Sequence, residues 1–357
     1  MIKYEQMDDK VLKSSIYNRP FSHIYVEEEA KGYPITEELL NKLKGERRDD
    51  LKILELDSYT RLFNRRRQNF VREKNSLSLI LAVKHGNLSY KGAPFCQDFG
   101  NEDFYYTSVL LNCLFDCEYC YLSGMYPSAY VVLFVNIEDY FNDIADKLKD
   151  GRKAYYCISY DTDLLAFEGL FGLSRRFFEF ASRPENKGLK IELRTKSAAV
   201  LDISGLSTEN IENFVIAITL SPEKVIKSFE HRTPSLEARL LALKRFASAG
   251  FPVRLIFDPV IKLQGFEEIY EEFFYRCEAF LKENKIEPLD CGLGTFRISD
   301  TYLSNLRKVR KASEITSYPY ESARGFSSYS EKNNERILKF CRERIERFIP
   351  AERIFTI

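Results

Sequence analysis

Apolar residues come in short runs separated by stretches of helical spacing. Leu77-Ser-Leu-Ile-Leu-Ala-Val-Lys84 is an apolar run of strand length, and Phe104-Tyr-Tyr-Thr-Ser-Val-Leu-Leu111 is a second. From there the two periodicities alternate. The pattern predicts strands at 130–135, 154–159, 190–195, 215–220 and 253–257, with helices at 137–149, 174–181 and 235–249, the last closed by Gly250. Such alternation predicts an α/β chain with a parallel sheet and crossover helices. About six repeats fall short of the eight that a closed barrel requires.

Composition narrows the reading only slightly. With 45% apolar and 14% aromatic residues, the 357-residue chain can bury a large core, which excludes a disordered protein. Lys plus Arg and Asp plus Glu are 53 each, so no global field draws the chain to nucleic acid. Any phosphate-binding surface must be local, and the runs Arg65-Arg66-Arg67 and Leu306-Arg-Lys-Val-Arg-Lys311 are the candidates. The first ten residues, MIKYEQMDDK, lack the apolar stretch of a signal peptide, and no run of about 18 apolar residues suggests a membrane span. A cytoplasmic, membrane-free location is expected, where thiols stay reduced. Three regions are expected: a mainly helical region over 1–100, the barrel over 101–300 and a helical extension over 301–357.

Of eight cysteines only three stand together, in Cys113-Leu-Phe-Asp-Cys117-Glu-Tyr-Cys120. The C-x₃-C-x₂-C spacing folds three thiolates around one small centre, just after a strand. Three thiolates suit an iron–sulfur cubane with one iron left open to a ligand. A structural zinc would need a fourth donor, for which Cys96 and Cys157 are the nearest thiols. Three buried thiols without metal is the third reading. The five scattered cysteines read as ordinary buried thiols.

The cysteine triad resembles that of the radical S-adenosylmethionine superfamily. Cys117-Glu-Tyr-Cys-Tyr-Leu122, with a tyrosine on each side of the third cysteine, resembles the spore photoproduct lyase family more narrowly. Further likenesses follow in order: Tyr130-Val-Val-Leu-Phe-Val-Asn136, Leu193-Arg-Thr-Lys196, Phe229-Glu-His-Arg-Thr-Pro-Ser-Leu-Glu-Ala-Arg239 and Phe257-Asp-Pro-Val-Ile261. The resemblance implies a partial (β/α)6 TIM-type barrel with N-terminal and C-terminal additions. It implies a [4Fe–4S] cluster on Cys113, Cys117 and Cys120, and S-adenosyl-L-methionine as the second cofactor. It also implies a lyase that reverses a thymine-dimer lesion through a 5′-deoxyadenosyl radical. Damaged DNA and a reductant such as flavodoxin or ferredoxin are the implied partners. A paralogue acting on a non-DNA substrate is the alternative.

Lys196 and Thr162 match family positions that hold the aminoacyl end of the cofactor, and an ammonium at a strand's C-terminal end suits a carboxylate. Thr219 and Ser221, at the next strand end, are placed for a hydroxyl contact to it. Tyr119 and Tyr121 match the family's hydrogen-relay pair. The chain departs from the family at the hydrogen donor. Aligning Tyr160-Asp-Thr-Asp163 on the family's Cys-Thr-Ser-Asp stretch puts Tyr160 where the family has its donor cysteine. Cys157 lies three residues earlier, so Tyr160 and Cys157 are both candidate donors. His231, Arg232 and Arg324 are weaker candidates for ligand contact.

Overall fold

The computed structural model describes residues 21–45, 51–93 and 96–356. The charged run at 46–50 and the N-terminal decapeptide lie outside the described residues. The strands expected from the pattern are present as Val131–Phe134, Ala154–Cys157, Leu189–Thr195, Phe214–Thr219 and Val253–Val260. Their crossover helices are Ile137–Lys147, Leu173–Ala181 and Leu236–Ser248. Phe214–Thr219 is buried at all six positions, as a parallel strand covered on both faces must be. Ser235 caps the helix after it, accepting from Ala238 N at 3.3 Å, and Gly250 (φ 90°) ends it in a conformation that costs glycine little.

The strands form one curved wall built from two sheets. The larger sheet has eight strands, ordered 354–356, 291–295, 253–260, 214–219, 189–195, 154–157, 104–107 and 89–91, parallel except for the last pair. The smaller sheet has five, ordered 52–56, 23–27, 78–82, 131–134 and 110–111. The expected single strand at 104–111 is split between them. Phe104–Thr107 pairs with 154–157, while Leu110–Leu111 turns to pair antiparallel with 131–134. This kink joins the sheets into an open half-barrel directly ahead of the cysteines.

Two regions carry more than the expected helices. Among the described residues of 1–100, His23–Glu27, Lys52–Leu56 and Ser78–Ala82 are parallel strands set between helices, and they extend the wall through 131–134. Their neighbouring helices disguised them, since five-residue strands carry little periodicity. The 301–357 region is likewise more than a helical extension. Besides helices Asp300–Val309 and Glu331–Ile345, it supplies Ile354–Thr356, which pairs with Cys291–Thr295 and completes the sheet edge.

One face of the larger sheet packs against the helices through Ile191, Leu193, Ile216, Ile218, Leu255 and Phe257. The opposite, concave face carries charge. Arg254 is fully buried there, donating from Nη2 to Asp290 Oδ2 at 2.8 Å and from Nη1 to Glu192 Oε2 at 2.5 Å and to the Tyr155 hydroxyl at 2.7 Å. Its guanidinium also stacks 3.3 Å from the Phe99 ring centroid. Burial alone would raise the Glu192 carboxyl, but Arg194 and Arg254 hold it below its ordinary range. Higher in the same lumen Arg297 grips Asp258 with a fork of 2.9 and 3.0 Å.

Replacing Arg254 by Met would strand Asp290 as an unpaired buried carboxylate and leave Glu192 to Arg194 and the Tyr155 hydroxyl. Breaking such a pair costs about 3–5 kcal/mol, so the denaturant midpoint of Arg254→Met should fall accordingly. An unchanged midpoint in equilibrium unfolding would show that the network does not stabilise the sheet.

Candidate active site

The cysteine loop hangs at the C-terminal mouth of the strands and is fastened from four directions. It opens at Asn112, which adopts a left-handed conformation (φ 66°) tolerated by asparagine. The Asn112 amide donates to the carbonyls of Ser128 (2.9 Å) and Tyr130 (2.7 Å), pinning the loop's two ends together. Thr162 Oγ1 donates to Asn112 O at 2.7 Å, so its proton is used to hold the loop. Beneath Cys113 lies the buried Lys74, whose ammonium donates to the Cys113 carbonyl. Burial lowers the Lys74 pKa, while Cys113, Asp116 and Cys120 hold it up.

The fourth fastening is the segment after Phe229. Glu230–His231 pairs antiparallel with Asp116–Cys117, and Glu118 N donates to Phe229 O at 2.8 Å. His231 Nε2 meets Glu118 Oε1 at 2.7 Å, and Arg232 reaches Lys74 O and Asn75 Oδ1 at 2.8 and 2.7 Å. His231 and Arg232 therefore brace the loop. Glu230 is the centre of this strap. Its carboxylate accepts from the Tyr119 hydroxyl, from Ser221 Oγ at 2.7 Å and from the fully buried Arg239 guanidinium. Burial works against the charge, yet Arg239 and Lys196 bring the Glu230 pKa down to about 2.

Cys113, Cys117 and Cys120 all lie on this strapped loop, Cys117 buried and the other two half-buried. Burial pushes the Cys113 thiol up to about 12 and raises Cys117 well above its ordinary value, Lys196 pulling the latter back. Among the described residues no three His, Cys, Asp or Glu side chains close around a single ion. A cubane, with its irons at separate corners, spreads its thiolates further than a tetrahedral zinc, whose sulfurs sit about 2.3 Å from the metal.

Lys196 stands at the end of Leu189–Thr195. Its backbone is fixed by Asp163, which accepts from Lys196 N (2.7 Å), Thr195 Oγ1 (2.6 Å) and Ala166 N (3.1 Å). The ammonium has no carboxylate partner among the described residues and lies 5.6 Å over the Tyr119 ring. Thr219 is buried one strand away, its carbonyl accepting from Arg239 Nη1 at 3.1 Å. Ser221 donates its proton to Glu230, which makes it part of the strap.

The two tyrosines flanking Cys120 have separate surroundings. Tyr119 is locked to Glu230, whereas the Tyr121 hydroxyl donates to Tyr160 O at 2.5 Å. The Tyr160 ring stacks on Tyr106 with centroids 4.1 Å apart, and Tyr106 stacks on Tyr90 at 5.2 Å. Cys96 Sγ lies 3.4 Å from the Tyr160 hydroxyl. Cys157 is buried in its strand, opposite Glu192 and Tyr106, and burial pushes its thiol up to about 12. Sequence reading placed Tyr121, Tyr160 and Cys157 in this neighbourhood. It named Cys96 only as a possible fourth zinc donor and missed Lys74, Asp163 and Glu230, because nothing local marks a lone residue whose partner is tens of residues away.

The sequence model of spore photoproduct lyase matches residues 20–354. The chain belongs to the spore photoproduct lyase family. These are radical S-adenosylmethionine enzymes. A spore photoproduct lyase of Bacillus subtilis (strain 168) is 25% identical over 266 residues, covering 73% of this chain and 74% of its own. That of Clostridium acetobutylicum is 24% identical over 276 residues, covering 75% and 76%. A solved spore photoproduct lyase mutant with dinucleoside spore photoproduct superposes with a TM-score of 0.78 at 21% identity, over 94% of this chain and 98% of that one. Another, with bound AdoMet and dinucleoside spore photoproduct, gives 0.77 at 20% identity over 95% and 99%. These likenesses establish the partial TIM barrel expected from the sequence.

Glu230→Gln tests the strap, since it keeps the shape and leaves Arg239 without a counter-charge. A loss of about 3–5 kcal/mol is expected in equilibrium unfolding. Tyr119→Phe and Ser221→Ala, each removing one bond to a charged group, should cost less, about 1.5–3 kcal/mol. Equal losses in all three variants would mean that the carboxylate is not the centre.

Proposed function

We propose that the chain is a radical S-adenosylmethionine lyase that reverses a spore photoproduct, a thymine-dimer lesion in DNA. The observation that carries the reading is the strapped three-cysteine loop beside the carboxylate-free ammonium of Lys196, at the mouth of a half-barrel. The donor set fits a cubane with an open iron: three thiols on one loop, the Lys74 ammonium beneath them, and no fourth thiol bonded to the loop. Cys113, Cys117 and Cys120 would hold a [4Fe–4S] cluster, which when bound would supply the electron for reductive cleavage of S-adenosylmethionine. Because Cys113 and Cys117 are protonated without metal, loading releases protons and is favoured as pH rises.

The protein's own part is to bind, orient and return hydrogen. Lys196 pairs with the carboxylate of the methionine moiety, while Asp163 aims its backbone and Tyr119 offers the ring below it. Thr162 and Thr219 border the same space. On the other flank the column Tyr90–Tyr106–Tyr160–Tyr121 gives planar surfaces for bases, and it holds hydroxyl and thiol hydrogens within one network. A substrate carbon radical is quenched when an S–H or O–H bond breaks and a C–H bond forms. Tyr160, Cys157 and Cys96 are the candidate donors, and Tyr121, bonded to the Tyr160 carbonyl, is the candidate relay. The relatives' common name, over about three-quarters of the chain, supports DNA repair over a non-DNA substrate. A low-potential electron-transfer protein such as flavodoxin or ferredoxin is the reductant.

Anaerobic reconstitution should yield about four irons per chain, and Cys113→Ala, Cys117→Ala or Cys120→Ala should each abolish them. A normal cluster in any of the three would overturn the assignment. Lys196→Ala should leave iron unchanged and weaken S-adenosylmethionine binding by about 1.5–3 kcal/mol in calorimetry. The decisive assay is reduced, loaded protein with S-adenosylmethionine and dinucleoside spore photoproduct. Restored thymine is expected, and cleavage of the cofactor without repair would leave the paralogue reading standing.

The hydrogen donor separates in the same assay. Loss of turnover in Cys96→Ala but not Cys157→Ala places the donor at the thiol bonded to Tyr160, and the reverse result places it in the strand. If only Tyr160→Phe stalls the reaction, the phenol is the donor.

A further inference from the structure

The two basic runs picked out in the sequence, about 240 residues apart, face each other across one groove of about 1220 Å³. One wall carries Arg65, Arg67 and Arg72, and the other carries Lys308, Arg310 and Lys311. Glu118 also lines the groove and Asp116 pairs Arg310, but the exposed Arg67, Arg72, Lys308 and Lys311 leave a local positive surplus in a chain of zero formal net charge. The floor is Ser123 to Pro127, beginning three residues after Cys120, so the groove runs directly into the cysteine loop. The second wall is held against that floor. Gly124 packs so closely on helix 300–309 that a Cβ there would lie 2.2 Å from Tyr302 O, and Asn305 Nδ2 donates to Gly124 O at 3.0 Å. Arg310 is further bound to Asp116, inside the cysteine loop.

Two features point to the occupant. The groove exposes apolar side chains between its basic walls: Val71 is 42% and Met125 37% exposed, with Tyr126 half-buried beside them. Basic rims flanking an apolar platform suit unstacked bases on a tracked backbone, whereas a duplex presents its phosphates and hides its base faces. The volume suits a few nucleotides, being just above the range of small-molecule pockets.

We propose that this groove holds a single-stranded DNA segment flanking the lesion. Arg65, Arg67, Arg72, Lys308 and Lys311 take its phosphates, while Arg310 holds the wall to Asp116, and Val71, Met125 and Tyr126 take its bases. The inference rests on the reading that the substrate lies in DNA, and it adds that the strands are parted beside the lesion. Parting them brings the lesion to the buried mouth of the barrel at the cost of unstacking.

The test is fluorescence anisotropy with a labelled, undamaged twelve-nucleotide single strand and the matching duplex, at several salt concentrations. Wild-type protein should bind the single strand more tightly. The exposed double variants Arg67→Ala/Arg72→Ala and Lys308→Ala/Lys311→Ala should each lower that affinity about tenfold and flatten the slope of log K against log salt by about 1.4, for two phosphates at about 0.7 each. Met125→Ser should weaken single-strand binding with the slope unchanged. Unchanged affinity and slope in both double variants would overturn the groove. Tighter duplex binding, with Met125→Ser neutral, would overturn strand parting. Binding needs no turnover, so the two readings fail separately. Repair of the dinucleoside with insensitive variants sinks the groove alone, and sensitive variants without repair sink the lesion assignment alone.

Discussion

The buried Glu230 carboxylate is the interaction on which the placement of the cysteine loop most depends. The cysteine loop has little structure of its own, only a two-residue strand and a four-residue helix. Its rigidity is borrowed through Glu230, which gathers Tyr119 from the loop, Ser221 from a strand end and Arg239 from the following helix. A charge in that position is tolerable only because Arg239 neutralises it and the hydroxyls occupy its remaining lone pairs. Three parts of the barrel must therefore be correctly placed before the loop can settle. Reciprocally, a settled loop fixes where Cys117 and the Tyr119 ring stand relative to Lys196.

The half-barrel's lumen follows the same logic on a larger scale. An open curved sheet has one face for helices and one that must be filled from its own strands. Here the filling is charged and aromatic beside a small aliphatic share of Ala217 and Ile256: Arg254 with Glu192 and Asp290, Arg297 with Asp258, and Phe99 with Tyr155. The Arg254 cluster and the Phe99–Tyr155 contact lie toward the N-terminal ends of their strands and plug the floor of the lumen, while Asp258 with Arg297 lies toward the C-terminal mouth, where the cysteine loop sits. On that loop Tyr119 and Tyr121 part. Adjacent to the same cysteine, one is a brace on the side of the ammonium and the other joins the phenol and thiol network around Tyr160.

Much of this was legible in the chain. The alternation of strands and helices from 130 to 260 survived to within a few residues, because buried parallel strands and amphipathic helices each carry their own local period. The cysteine spacing was equally plain, since three ligands of one centre must lie within a single loop. The strands at 23–27, 52–56 and 354–356 were not legible. Each is short, and its identity depends on a neighbour elsewhere in the chain that supplies the hydrogen bonds.

The sequence alone determined the fold class, the cysteine triad and the position of Lys196 at a strand end. All three are local: periodicity, spacing and the residue after a run. Only the tertiary structure decided which side chains complete the site. Glu230 became the strap, Lys74 the buried charge under Cys113, Cys96 the thiol against Tyr160, and two distant basic runs the walls of one groove. Each of those roles depends on a partner brought close by folding, at sequence separations of 39 to about 240 residues. Burial then sets how strongly each charge or hydroxyl must be paired, and no run of neighbouring residues encodes that.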